Sequence, residues 1–170
     1  MTQDLLIGQQ LADYKINRFL GEGAFAKVYE GEDVYLDRKV AIKIMKISSL
    51  PAREITTYKE SFQKEAKIIA RLEHPNIIRI IKFGFSQGLQ RYGLPDGTPF
   101  LVMSYAAYGT IRDKYPELSV LDYTTIAKYT LQIAQALQYA HDQTKAVIHR
   151  DIKPENLFLD AQDNVLLGDF

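Results

Sequence analysis

No cysteine occurs anywhere in the chain. That absence excludes a disulfide scaffold, a thiol nucleophile and a thiolate zinc site, and it fits a reducing compartment. Net charge is missing as well: 21 lysines and arginines balance 21 aspartates and glutamates across 170 residues. Nothing therefore draws the chain in bulk to nucleic acid or to an anionic membrane, and neutrality implies modest solubility. Long apolar runs are also absent, with no stretch approaching the roughly 20 apolar residues of a membrane span. The start, Met1-Thr-Gln-Asp-Leu-Leu-Ile-Gly8, carries an acidic residue and only three consecutive apolar side chains. A secretory leader needs a basic start and a longer apolar core. There is no internal repeat and no low-complexity tract. These absences together lead to the expectation of a cytoplasmic, soluble chain with no nucleic-acid partner and no membrane segment in this portion.

What remains is an ordinary globular composition, 46% hydrophobic and 25% charged, of a length that suits one domain. Tyr14 to Leu20 reads as a strand, Gly21-Glu22-Gly23 as a turn, and Ala26 to Glu30 as the returning strand of a hairpin. Arg38 to Met45 is a third strand, whose alternation puts Val40, Ile42 and Ile44 on one face and Ala41, Lys43 and Met45 on the other. Thr57 to Leu72 has helical periodicity, with Tyr58, Phe62, Ile69 and Leu72 on one stripe, and His74-Pro75-Asn76 ends it. Ile77 to Phe85 and Phe100 to Met103 are apolar strand candidates. The intervening Ser86 to Pro99, rich in glycine and proline, reads as a surface loop. Ala106 to Gly109 is a small-residue linker between lobes. Thr124 to Gln143 is a second helix with Ile126, Thr130, Ile133, Leu137 and Ala140 on one face. Sheet first and helix later is an α+β order.

Three stretches carry chemistry. The first is Leu20-Gly-Glu-Gly-Ala-Phe-Ala-Lys-Val28, on the hairpin. Glycines there allow close backbone approach to a phosphate and leave amide donors exposed, although a glycine-rich hairpin is more often a plain turn. The second is Val40-Ala-Ile-Lys43. A lone strand lysine usually snorkels to water. Glu65 changes that reading, because it falls on the apolar stripe of the following helix, where a carboxylate without a partner is expensive and Lys43 is an available cation. Glu60 and Lys64 are spaced as an ordinary surface pair. The third is His149-Arg-Asp-Ile-Lys-Pro-Glu-Asn156, which crowds a base, a cation and a neutral oxygen ligand into one loop. Asp169 follows Asn156 by thirteen residues. Two oxygen ligands beside a phosphate suit Mg²⁺, which retains several waters.

In this order, with His74-Pro-Asn-Ile77 between the second and third stretches, the motifs resemble those of eukaryotic-type protein kinases over about residues 14 to 170. The style is similar to bacterial members, and Lys153 matches the serine/threonine-specific branch, since tyrosine kinases usually carry alanine or arginine near there. Small-molecule kinases of related fold usually lack the Lys-Pro-Glu run.

The resemblance implies an α+β protein-kinase-like fold. Residues 1–13 would be a leader, 14–103 a complete N-terminal lobe of antiparallel sheet plus one long helix, and 104–170 the hinge and the first part of a helical C-terminal lobe. That second lobe would be incomplete, since the family continues beyond Phe170 with a glycine, an activation loop, a peptide-docking segment and further helices. The implied activity is transfer of the γ-phosphoryl of ATP to serine or threonine hydroxyls of a protein substrate. The alternative is a catalytically impaired, pseudokinase-like nucleotide-binding fragment.

By the same resemblance, Leu20, Gly21, Glu22, Gly23, Ala24 and Phe25 would cover the ATP phosphates, with Ala26 standing where a third glycine is usual. Lys43 would hold the α- and β-phosphates with Glu65 as its ion-pair partner. Val28 and Ala41 would roof the adenine, and Phe158 or a neighbour would floor it. Met103 would be the gatekeeper, and the backbone of Ser104, Tyr105 and Ala106 would read the adenine edge. Asp151 would accept or orient the substrate hydroxyl proton, Lys153 would steady the γ-phosphate, and Asn156 and Asp169 would hold Mg²⁺. Arg150 would pair an activation-loop phosphate.

Overall fold

The computed structural model describes residues 4–47, 50–117 and 120–170. The chain divides into two compact units. The first runs up to Lys67 and resumes with Ile80–Tyr105; the second comprises Ile68–Arg79 and Ala106–Phe170. The leader expected over 1–13 lies in part outside the described residues. Among the described residues no helix is long and apolar enough to cross a membrane.

The first unit is built on a six-stranded antiparallel sheet. Its strands are β1 (Gln10–Leu11), β2 (Tyr14–Glu22), β3 (Ala26–Asp33), β4 (Arg38–Met45), β5 (Ile80–Phe85) and β6 (Pro99–Ser104), in spatial order β1-β2-β3-β4-β6-β5. The alternation read from Arg38–Met45 appears as burial. Val40, Ile42 and Ile44 are sealed on one face together with Ile16, Tyr29, Phe100 and Val102. That face is closed by Leu6 and Leu11 from the N-terminal segment and by Leu89 and Leu94. The stretch 86–98 is thus not a plain surface loop. It contains a 3₁₀ turn at Gln90–Tyr92 and closes on itself. Ser86 N–H donates to Thr98 O at 2.9 Å, Thr98 N–H donates to Ser86 Oγ at 3.0 Å and Ser86 Oγ donates to Pro95 O at 2.6 Å. With its polar groups paired internally, the loop can press two leucines into the core without orphaned donors.

The opposite face of the sheet receives α1 (Ala52–Ile69), which packs Ile55, Tyr58 and Phe62 against Ala26, Met45 and Ile47. The helix starts five residues before the apolar periodicity does. Pro51 precedes its first turn and Glu54 sits within it, an arrangement that suits a helix N-terminus and its dipole. It ends at Ile69, so Leu72 lies beyond it, buried in the second unit's core.

The second unit holds α2 (Ile111–Lys114), α3 (Tyr123–His141) and the hairpin β7 (Leu157–Leu159) and β8 (Val165–Leu167). Thr110 caps α2 through a reciprocal capping box with Asp113, and Asp122 caps α3 by accepting from Thr125 N–H at 2.9 Å. Burial on α3 falls on Tyr129, Ala136 and Ala140. The expected stripe is correct at Ala140, and Ile133 and Leu137 pack partly against the core. Ile126 and Thr130 instead face outward. Tyr129 displaces them because its ring joins the core while its hydroxyl donates to Asp163 Oδ1 at 2.8 Å. The segment 72–78 is woven into this unit. Leu167 N–H donates to Asn76 O at 2.8 Å, Ile78 N–H donates to Leu167 O at 2.9 Å, and the buried Asn76 side chain donates to Val165 O at 2.8 Å.

Candidate active site

In the first unit the glycine-rich segment forms the β2–β3 hairpin, with Gly21 opposite Val28 and Glu22 opposite Lys27. The strand runs on through Glu22, so the turn is tighter than Gly21–Gly23 implied. Gly23 N–H closes it on Ala26 O at 2.9 Å. Lys46 braces it from β4's end, its ammonium donating to Gly23 O at 2.8 Å and pairing with Glu22. That hydrogen bond from Lys46 holds the Glu22 carboxyl below its ordinary range. A side chain added at Gly21 would meet nothing within 4 Å, and one at Gly23 would touch only Ala26 O at 4.0 Å; neither residue has a positive φ. Neither packing nor backbone conformation demands glycine here. The two positions instead leave bare backbone beside open space, as a phosphate cradle requires. Ala26, in the place of a third glycine, is a core residue with 4% exposure, which explains its methyl group. Phe25 stands out at the tip, 68% exposed, and Leu20 and Ala24 are also exposed.

Behind the hairpin, cross-strand register aligns the other expected residues. Val28 is opposite Lys43, which is opposite Leu101, and Ala41 is opposite Met103. Val28, Ala41, Lys43 and Met103 thus share the face of the sheet turned away from the Val40–Ile42–Ile44 core, and all four are half-buried. Ser104 ends β6, and Tyr105 and Ala106 follow it, each of the three half-buried.

Glu65 does not follow the expectation. It is exposed, and the next residue, Ala66, is buried with 3% exposure. The inward stripe of α1 is Ile55, Tyr58, Phe62 and Ala66, one position out of phase with a buried Glu65. The reason is size. Phe62 and Tyr58 occupy the space over Ala26 and Met45, which leaves room for a methyl group at the next turn.

The second unit gathers the remaining group. His149 is 4% exposed, and its two nitrogens bridge two segments. Nδ1 accepts from Asp151 N–H at 3.3 Å and Nε2 lies 2.6 Å from Gly168 O. An acceptor at Nδ1 and a carbonyl at Nε2 require the neutral ring with its proton on Nε2. Asn156, also buried, donates to Asp151 O at 2.8 Å and to Asp151 Oδ2 at 3.0 Å. Lys153 Nζ sits 2.6 Å from Asp151 Oδ2. That hydrogen bond holds the Asp151 carboxyl below its ordinary range and raises the Lys153 ammonium above its own. Asp151 is therefore a weak base held ionised, suited to orienting a hydroxyl rather than to removing its proton unaided. Arg112 anchors the loop from α2 by donating to Glu155 at 2.9 Å.

Gly168 N–H donates to Asn156 O at 3.0 Å, which sets Asp169 beside this cluster. Two non-glycine residues here adopt left-handed backbone, Arg150 with φ 67° and Asp169 with φ 57°. Such strain persists only where surroundings over-determine it, and it concentrates at functional sites. Phe170 closes the segment against His149, ring centroids 4.7 Å apart. Phe158 lies on β7 and presses its ring on Gly168, where any Cβ would fall 2.8 Å from it. The donor set suits Mg²⁺. Both amide protons of Asn156 are committed to Asp151, so its own Oδ1 is the atom it would offer a metal, and Asp169 would add a hard carboxylate oxygen. Reading the sequence missed the roles of His149 and Gly168, the two residues that tie the Asp151 loop to the Asp169 segment. Histidine and glycine declare their packing partners only in three dimensions.

Residues 14–170 match the protein kinase domain family. The chain is 32% identical over 167 residues to the serine/threonine-protein kinase PrkC of Bacillus subtilis, an alignment covering 98% of this chain and 24% of that protein. It is 35% identical over 158 residues to an Aurora kinase of Dictyostelium discoideum, covering 93% and 38%. It is 32% identical over 160 residues to the serine/threonine-protein kinase Aurora-1 of Arabidopsis thaliana, covering 94% and 50%. The chain thus spans about a quarter to a half of these relatives' own length. With the family matched over nearly all its residues, the chain belongs to the protein kinase domain family.

Proposed function

We propose that the protein carrying this chain transfers the γ-phosphoryl group of ATP to serine or threonine hydroxyls of a protein substrate, in the cytoplasm and with Mg²⁺. The observation that supports this reading best is the Asp151–Lys153–Asn156 cluster, tied through Gly168 to Asp169. Such transfer is mostly positioning and charge neutralisation, and each residue has a task of that kind. Backbone amides from Gly21 to Phe25 cover the phosphates, and Lys43 neutralises the inner ones. Val28, Ala41, Met103 and Phe158 bound the base, and the backbone of Ser104 to Ala106 reads its edge. Asn156 and Asp169 would hold Mg²⁺, which would supply charge neutralisation when bound. Asp151 orients the acceptor hydroxyl, and Lys153 steadies charge on the group in transit.

The alternative of a catalytically impaired nucleotide-binding module has no observation in its favour, since none of these residues is replaced. The test is ATP binding to the chain by titration calorimetry, with and without Mg²⁺, in wild type, Asp169→Asn and Asp151→Asn. Mg²⁺-dependent binding weakened by Asp169→Asn and spared by Asp151→Asn supports the assignment. Binding that ignores Mg²⁺, or equal damage from both substitutions, overturns it.

A further inference from the structure

Within the first unit one carboxylate gathers more partners than a strand residue needs. Glu30 lies on β3 with 7% exposure. Its Oε2 accepts from Arg18 on β2 at 2.7 Å and from the hydroxyl of Tyr105 at 3.0 Å, and its Oε1 meets Lys39 on β4 at 3.0 Å. Arg18 also donates to the Tyr105 hydroxyl at 3.4 Å, and the Lys39 ammonium stands 5.6 Å from the centre of the Tyr105 ring. Two cations and a phenol therefore converge on one buried anion. The only member outside the β2–β3–β4 ribbon is Tyr105, which immediately follows β6. Glu30 is also the cross-strand neighbour of Ala41, which in turn faces Met103.

Surface ion pairs alone would not explain this arrangement. Arg18 and Lys39 are long, mostly exposed side chains, 62% and 63%, and such pairs contribute little to stability. Their shared effect is to keep Glu30 ionised and in place, and an ionised carboxylate is a stronger acceptor for a phenol than a neutral group. The phenol is rigid, so holding its hydroxyl fixes the ring and with it the backbone on either side of Tyr105. We infer that Glu30 is a positioning residue for nucleobase recognition: by clamping the Tyr105 hydroxyl it sets where the main chain after β6 presents its hydrogen-bonding groups to the purine. This inference rests on the nucleotide-binding reading above and adds to it the side chain that holds the base-reading strand end.

The test compares two probes on the full chain, adenosine, which has a base and no phosphate, and inorganic tripolyphosphate, which has phosphates and no base. Tyr105→Phe removes only the hydroxyl, and Glu30→Gln keeps the shape and loses the charge. Each should weaken adenosine about tenfold, the scale of one net hydrogen bond, and leave tripolyphosphate within about twofold. The double variant should be no weaker than the worse single one, since both act through one contact. Equal weakening of both probes, or no weakening of adenosine, overturns the role of Glu30 while leaving the nucleotide reading in place. Failure of the unsubstituted chain to bind adenosine overturns that reading itself, and this inference falls with it.

Discussion

At the scale of the residue, Asp151 shows how environment sets a role. Lys153 and Asn156 both stabilise its charged form, so it is ionised at every pH above its ordinary value near 3.8. If the proposed function holds, the rate of phosphoryl transfer between pH 5 and 8 should therefore show no limb belonging to Asp151. On the same condition, Asp151→Asn should lower turnover by at least about 100-fold with little change in ATP affinity, because the lost interaction would be the one orienting the acceptor hydroxyl. A steady-state kinetic split between kcat and KM for ATP checks both statements. Glu30 gives a stability prediction with the sign of a depressed acid. Its folded pKa is pulled down to about 2, chiefly by Arg18, from an ordinary 4.5. The contribution is complete above pH 4.5 and disappears as pH falls toward 2. Urea melts of wild type and Glu30→Gln should differ by on the order of 1–2 kcal/mol at pH 7, the exposed partners screening the larger ideal value, and should converge by about pH 2.

At the scale of the element, phase decides what a side chain meets. Ala66, not Glu65, faces the sheet, so Glu65→Ala should change stability by less than about 0.5 kcal/mol, while Ala66→Leu should overpack the site and lose about 1–3 kcal/mol. Thermal melts of the two variants test the helix phase directly. Much of the element order was legible in the sequence. The alternation Val40, Ile42, Ile44 identified β4 to the residue, because a strand with one sealed face must repeat every second position. The Asp151 loop stood out in the sequence by its resemblance to a family motif rather than by any periodicity, and the structure places Lys153 and Asn156 within hydrogen-bond reach of Asp151.

Helix phase was less legible, because an apolar stripe spans more than one register. Tyr58, Phe62 and Ile69 admit either Glu65 or Ala66 at the centre, and only the bulk of the facing Met45 and Ala26 chooses. The burial of Leu89 and Leu94 was hidden by glycines and prolines that usually mark solvent-facing turns, since the pairing of Ser86 with Thr98 is a tertiary fact. The Tyr105–Glu30 contact spans 75 positions, and no local pattern encodes such a distance.

At the scale of the whole molecule, neutrality meets exposed apolar surface. Ile126 and Leu131 on α3 are 48% and 59% exposed, and Tyr123 at its start is 87% exposed. With a sequence pI near 6.8, charge repulsion is least around neutral pH, where contiguous apolar surface promotes association. The chain at pH 7 should therefore self-associate in a concentration-dependent way by light scattering. Raising the pH to about 9 or introducing Ile126→Lys with Leu131→Gln should reduce the effect, and unchanged scattering in the double variant would point to another surface.

The backbone passes between the two units three times, after Lys67, after Arg79 and after Tyr105, which makes the chain a natural candidate for splitting into complementing halves. A protease site inserted after Ala107 would yield an amino-terminal piece that still contains 68–79. That piece would keep its grip on the carboxy-terminal one through Asn76 on Val165 and through the paired main chains of Ile78 and Leu167. The nicked halves should co-elute in native buffer and part only in denaturant. A pair of separately expressed halves, joined by the same dozen residues, would report on each other's folding as a reconstituting reporter does.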